Sequence, residues 1–395
     1  MMITQEELGK RLRQARERAG FKQDDAAAAL GLDATAIAKI EHGKRGVGVL
    51  ELMCLTTLYK ISISDMLAHI SGREGIHLRV AMRQGIALNP KAEEMQRRLE
   101  QVVADNRWLR QHVQNPANAL LWFPIAASLP SNAPAYERGY QGADLFRSKN
   151  GLAASPIADM AVLADEIGVL VARLPLGNHL APDGCSAVDP LDKTPYVLIN
   201  SDKPRVRRRF TIAHELGHLA LGHLHKGEMV LDEMPSATQP HEVEANAFAA
   251  GLLMPEQGIT ASLERLRARL GTKAQPLEWA VWLSASFGVS EEAAAYRITN
   301  LGLPEAFNGG IVEAVKNAQE KPDLLRHARA RLGLSPLMAD AERGVIDVGP
   351  SMRGRIVQAL EEGVISIQQA ADMMHVSVQE AYRWIIEMGL HISHP

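Results

Sequence analysis

The sequence predicts a mainly α-helical chain with a small β-sheet, an α+β arrangement spread over several domains. Three observations predict it. Ala, Leu, Met and Arg are plentiful while aromatic residues make up only 5%, a composition that favours helix over strand. Apolar residues recur at helical spacing through most of the chain, and clear strand signals are confined to short runs such as Tyr196–Asn200 (YVLIN). With 395 residues and roughly 100–200 per domain, the prior is about two to four domains.

Charge and cysteine usage narrow the function classes. Forty-three basic residues against 46 acidic ones give a net charge of −3, so there is no global basic field and any nucleic-acid contact must be local. Cys54 and Cys185 lie far apart in unrelated contexts, which excludes a disulfide scaffold and a cysteine-rich zinc motif. The opening MMITQEELGK has no apolar signal core and no run of 18 apolar residues occurs. The expectation is a cytoplasmic protein without a membrane span.

Residues 1–70 break into five short amphipathic pieces. Leu8, Leu12 and Ala15 mark the first helix, and Phe21-Lys22-Gln23 opens a second that Gly31 stops after Leu30. Asp33 caps a third through Glu41, Gly43 ends it, and 47–58 and 62–69 supply two more. Two helices around a tight turn at Gly31 make a helix-turn-helix. The string FKQDDAAAALGLDATAIAKIEHGKR resembles the XRE-type, lambda-repressor-like helix-turn-helix over about residues 5–69, through Gln23, Ala27, Leu30-Gly31, Ile37, Ile40-Glu41 and Gly43. The resemblance implies a five-helix DNA-binding domain whose recognition helix is 33–42. Thr35 and Lys39 would face base edges of an operator, with Gln23, Lys44 and Arg45 near phosphates. Ala34 stands where such repressors often carry a long polar base reader, and residues 1–70 have a net charge of only +1. A module of the same fold serving only as an interaction domain is the alternative.

Residues 71–151 read as a helical connector. Asn89-Pro90 opens a helix to about Val113, and Met95, Leu99, Val102, Asn106, Leu109 and Val113 alternate in steps of four and three. That is a heptad seam with Asn106 at an a position. It fits either a homodimer seam or a helix packed on its own chain. The stretch 115–151, around LPSNAPAYERGYQGA, reads as a loop-rich approach to the next domain.

The chemistry lies in the helical stretch RVRRRFTIAHELGHLALGHLH. His214 and His218 are four apart and share one helix face, so their imidazoles can converge on one metal ion. Glu215, next to the first ligand, has the chemistry of a general base that moves a proton from water to a leaving amine. A third ligand is offered by HEVEANAFAAGLLMP, where Glu242 follows His218 by 24 residues and shares a face with Asn246. In the glutamate-ligand class of zinc peptidases such a Glu completes the site, and a polar residue four positions on orients a ligand histidine. That assigns Glu242 to the metal and Asn246 to orientation. Glu244 lies about 200° further round the helix; Glu244 and His241 stay open as alternatives.

The combination RRFTIAHELGH and EVEANAFAAGLLMP resembles the ImmA/IrrE family of zinc metallopeptidases over residues 152–303. This implies a zincin-like domain, one Zn2+ per chain and endopeptidase activity. ADEIGVLVARLP and YVLIN fit that family's small sheet, with 190–200 as the candidate edge strand to pair with a substrate backbone. His223 and His225 read as helix-end residues favourable to the dipole. Arg205, Arg207, Arg208 and Arg209 read as a solvated helix start, with a phosphate or acidic-peptide contact as the alternative.

The tail contains a repeat. LSASFGVSEEAAAYRITNLGL (283–303) aligns with AADMMHVSVQEAYRWIIEMGL (370–390), matching Ser290 with Ser377, Ala294 with Ala381, Ile298 with Ile385 and Gly302-Leu303 with Gly389-Leu390. Residues 304–350 read as a helical linker, and 351–395 as a helix-turn-helix-like module. The net charge of −2 over 353–395 favours protein docking over phosphate binding.

Two functions fit. The first is a transcriptional regulator with a zinc endopeptidase that cleaves a repressor or partner protein in a stress, mobile-element or toxin–antitoxin context. The second is a non-proteolytic DNA-binding autorepressor or antitoxin that uses the peptidase fold to grip a partner such as a toxin.

Overall fold

The computed structural model describes residues 4–59, 66, 79–80, 90–113, 124–177, 181–224, 228–231, 239–271, 274–303, 310–335 and 343–387. The chain divides into two units, residues 1–73 and 74–395. The fold is α+β, mostly helical with one small sheet.

The first unit contains α1 (Gln5–Arg18), α2 (Gln23–Leu30), α3 (Ala34–Glu41) and α4 (Val49–Leu58). Gly31 takes the left-handed conformation that ends α2, and the Asp33 carboxylate accepts from the Ala36 amide to start α3. Leu12, Ala26, Ala27, Ile37, Ile40 and Leu55 form the core. A buried polar knot ties the helices: Arg16 Nε and Nη2 donate to Glu41 Oε1 and Oε2 at 2.5 and 3.0 Å, and Gln23 Nε2 donates to Glu41 Oε2 at 2.8 Å. Of the piece expected over 62–69, Met66 alone is described, and it is buried.

In the second unit the sheet order is β1 (Arg79–Val80), β5 (Glu228–Leu231), β3 (Gly184–Val188), β4 (Pro195–Asn200) and β2 (Leu170–Leu174). β4 runs parallel to β2 and antiparallel to β3, β5 runs antiparallel to β3, and β1 runs parallel to β5. This corrects the expectation for 190–200. β4 is wholly buried with both backbone edges paired, because β2 and β3, both earlier in the chain, close on its two sides.

The helix α5 (Pro90–His112) packs against β4. Met95, Leu99, Val102, Asn106, Leu109 and Val113 are all at most 4% exposed. Asn106 donates to the Tyr196 hydroxyl at 2.7 Å and accepts from Arg355 at 2.9 Å. The seam is therefore spent on its own chain, and a homodimer, if formed, uses another surface. Asn89 lies outside the described residues.

Behind the sheet, α6 (Ala135–Lys149), α7 (Met160–Glu166), α8 (Arg205–Ala220) and α9 (Pro240–Leu253) build the layer that carries the site. α8 lies on β3 and β4, and α9 packs on both α6 and α8. Two glycines permit that closeness. A Cβ at Gly139 would lie 2.3 Å from the Glu244 carbonyl, and one at Gly217 3.2 Å from the Ala245 Cα. At the start of α8, Arg205 and Arg207 are exposed as expected, whereas Arg208 and Arg209 are not part of a solvated start. Arg208 is buried and donates to the Ser201 and Lys203 carbonyls, Arg209 to those of Ile157 and Ala158, and Arg207 pairs with Asp183.

The remaining helices are α10 (Glu256–Leu270), α11 (Pro276–Phe287), α12 (Glu291–Asn300), α13 (Gly310–Glu320), α14 (Pro322–Arg331), α15 (Pro350–Glu361), α16 (Ile367–Met374) and α17 (Val378–Glu387). The stretch read as a linker does more than connect. Ile311, Val315, Ala328 and Leu332 join the main apolar core, because α13 and α14 cover α11. The repeat appears as the pairs α11–α12 and α16–α17. Its tight turn holds Gly288 in the first copy and His375 in the second, both left-handed, while Gly389-Leu390 lie outside the described residues. The second copy is anchored through α15, which packs on α5 and α7.

Candidate metal centre

The site grows out of α8. Two residues four apart on one helix face bring their side chains together, and the His214 and His218 Nε2 atoms lie 3.0 Å apart. Both rings are buried, at 3% and 0% exposure. Glu242, from the first turn of α9, places Oε2 3.4 Å from His214 Nε2 and Oε1 3.7 Å from His218 Nε2. The three candidate ligand atoms lie within 4.8 Å of one another.

This donor set fits a zinc ion. Two imidazole nitrogens and a carboxylate oxygen that can turn their lone pairs to one point are the nitrogen and oxygen donors that zinc takes. Burial, opposed by the ring's hydrogen bond to the Glu242 carboxylate, lowers the His218 pKa to about 3, which keeps the ring in its ligating neutral form. Burial alone would raise the Glu242 carboxyl, yet hydrogen bonds from His214 and His218 outweigh it and hold the group far below the usual carboxylate range.

The other nitrogen of each ring is held separately. His214 Nδ1 lies 3.1 Å from Asn246 Oδ1, so the polar residue one turn beyond Glu242 meets a ring of the pair. His218 Nδ1 lies 3.0 Å from His223 Nδ1, and His223 Nε2 lies 3.0 Å from Glu244 Oε2. His223, expected at the helix end, lies just past it with its ring between His218 and Glu244. α8 stops at Ala220, and His223 folds back beneath His218. His225 lies outside the described residues.

The two alternatives for the third ligand stand apart from the trio. Glu244 is engaged by His223 and by Arg138, whose Nε donates to Glu244 Oε1 at 3.0 Å. His241 is 45% exposed, lies 3.4 Å from Glu242 Oε1 and has its ring centroid 6.1 Å from that of His218. Glu215 is completely buried. It neighbours Cys185 on β3, whose thiol is pushed well up by burial first and by the Glu215 charge second.

The residues expected at DNA divide into two sets. Thr35, Lys39 and Lys44 are exposed at and just beyond α3. Gln23 is committed to Glu41, and Arg45 Nη2 to Glu51 at 2.7 Å. Their side chains brace the domain in the first place.

Two family models match separate parts of the chain. Residues 164–299 match the IrrE N-terminal-like domain family (Peptidase_M78), and residues 7–59 match a helix-turn-helix domain family. Over 120 residues the chain is 38% identical to the radiation response metalloprotease IrrE of Deinococcus radiodurans, covering 29% of this chain and 34% of that protein. Over 61 residues it is 36% identical to the uncharacterized immunity region protein 2 of Bacillus phage phi105, covering 15% of this chain and 39% of that one. The chain thus spans about a third to two fifths of the length of these relatives. Among solved structures, ComR from Streptococcus suis aligns over 97% of this chain and 96% of its own, at 11% identity and a TM-score of 0.16. The chain carries a helix-turn-helix DNA-binding domain and an IrrE-like metallopeptidase domain.

Proposed function

We propose that this chain is a transcriptional regulator that binds operator DNA through α2 and α3. Its second unit would cleave a repressor or partner protein with one zinc ion held by His214, His218 and Glu242. The observation that carries this reading is the convergence of those three donors in a buried site with Glu215 beside them.

When bound, zinc would supply the Lewis acidity that polarises a scissile carbonyl and makes water a nucleophile near neutral pH. The rest falls to the chain itself. Asn246 and His223 fix the rings of His214 and His218. Glu215 accepts a proton from the attacking water and returns it to the departing amide nitrogen. The walls around it, from α8, α9 and β3, exclude bulk water and strengthen those charges. The proposed boundaries are 1–70, 71–151, 152–303, 304–350 and 351–395, and homodimerisation and a cytoplasmic location belong to the same reading. Among the described residues no helix is long and apolar enough to cross a membrane.

One observation favours the non-proteolytic alternative. The antiparallel strand β3, which lies on α8, has its outer edge paired with β5, so an extended substrate finds no open backbone there. A direct comparison separates the two. Zinc-loaded wild type and E215Q are incubated with purified products of the adjacent genes. The peptidase reading expects cleavage by wild type and loss of at least about a hundredfold in E215Q, in line with the size of general-base effects. Operator binding without cleavage by wild type favours the regulator that only grips its partner.

A further inference from the structure

The end of α8 has a specific geometry. Leu221 is the C-cap, and Gly222 follows at φ +73°, the left-handed conformation that favours glycine. The Gly222 amide donates to the Leu219 carbonyl at 3.3 Å, and the His223 amide donates to the His218 carbonyl at 3.0 Å. These two bonds define a Schellman motif, which brings the second residue past the cap against the residue three before it. In this chain that pair is His223 and His218. The Leu-Gly-His ending therefore seats one imidazole against another, with ring centroids 5.0 Å apart.

Proton bookkeeping gives the contact a direction. His218 turns Nε2 toward His214 and Glu242. A ring that ligates through Nε2 carries its proton on Nδ1, and the Nδ1 partner is His223 Nδ1, which must then accept. His223 consequently carries its own proton on Nε2 and donates it to Glu244 Oε2. Arg138 closes the chain by donating to Glu244 Oε1 from α6, itself held by a second bond to the Pro130 carbonyl. His223, Glu244 and Arg138 are each at most 16% exposed at the side chain, so solvent competes little. Every donor in the series meets an acceptor, and one tautomer of each ring satisfies all of them.

We propose that His223, Glu244 and Arg138 form a positioning arm for His218. The arm fixes the tautomer and orientation of that ring from the side opposite the metal, as Asn246 does for His214. It makes Glu244 the anchor of the arm rather than a rival ligand, and it ties the metal centre to α6. The proposal rests on the reading of His218 as a ligand, so its test includes that reading as a separate arm.

The full-length protein is stripped of metal and titrated with zinc against a competing chromophoric chelator. Cobalt is used in parallel to read the ligand field from its visible spectrum. H223L is expected to weaken zinc about 10- to 100-fold, the usual cost of losing a partner behind a ligand histidine, and to shift the cobalt spectrum with unchanged far-UV circular dichroism. H223N keeps an oxygen acceptor near the Nδ1 position and is expected to restore affinity to within a few-fold of wild type. E244A truncates the arm away from α8 and provides the same reading should H223L fail to fold; it is expected to weaken zinc several-fold. Wild-type affinity and spectrum in H223L or E244A would overturn the arm, as would equal impairment of H223L and H223N. H218A separates the premise. Loss of stoichiometric zinc there with an unaffected H223L defeats the arm alone, while zinc retained in H218A defeats the ligand assignment and the arm with it.

Discussion

Hydrogen-bond direction decides what each buried polar side chain in this protein can do. His214 and His218 aim one nitrogen inward, and their outward nitrogens have different partners, an amide oxygen on α9 and a third imidazole. Glu41 in the first unit takes donors from Arg16 and Gln23 at 1% side-chain exposure. Removing one partner of such a buried pair leaves the other uncompensated, at about 3–5 kcal/mol. E41A is accordingly expected to lower the unfolding free energy of residues 1–73 by about that amount, measured by urea denaturation. A change below about 1 kcal/mol, the ordinary value of an exposed pair, would show that the knot does not hold the unit. That His214 and His218 come together was legible from spacing alone, because helical periodicity is local. Glu242 needed the family pattern. His223 was missed although its signal, a glycine one residue before it at a helix end, was present in the sequence. Arg208 and Arg209 of α8 misled, because nothing in a basic run reveals which nearby carbonyls it will meet.

At the level of elements, helices and strands follow from local pattern, but their neighbours do not. The apolar stripe of α5 was visible at heptad spacing, and its partner turned out to be β4 and α15 of the same chain. β4 was visible as an apolar run, and its central place depends on β3, β2 and β5, which lie elsewhere in the chain. The end of α8 is the element most open to test. A side chain at Gly222 must hold φ +73°, which costs a non-glycine residue roughly 1–2 kcal/mol, and its Cβ would sit 3.4 Å from Ala126. G222A is therefore expected to lower the melting temperature by several degrees and, by unseating His223, to weaken zinc more than its loss of stability explains. A variant that loses stability while keeping wild-type zinc affinity would show that the cap and the metal centre are independent.

For the molecule as a whole, the near-neutral charge and the two units assign separate tasks. The first unit exposes Thr35, Lys39 and Lys44 with little net charge behind them, so operator binding of the kind proposed would rest on fitted contacts more than on a broad field. The second unit spends its polar side chains inward, on the site and on the α8 cap. The presence of a helix-turn-helix domain and of an IrrE-like metallopeptidase domain was legible because both motifs are short and local. The contribution of α13–α14 to the main core was not, because a helix's polar and apolar faces do not name the surface that covers them. The central claim is that one zinc ion per chain rests on three named side chains, and elemental analysis after gel filtration measures it most directly. The account predicts one zinc per chain in wild type and in E215Q, and none in H214A or E242A. A full complement of zinc in either H214A or E242A would contradict it.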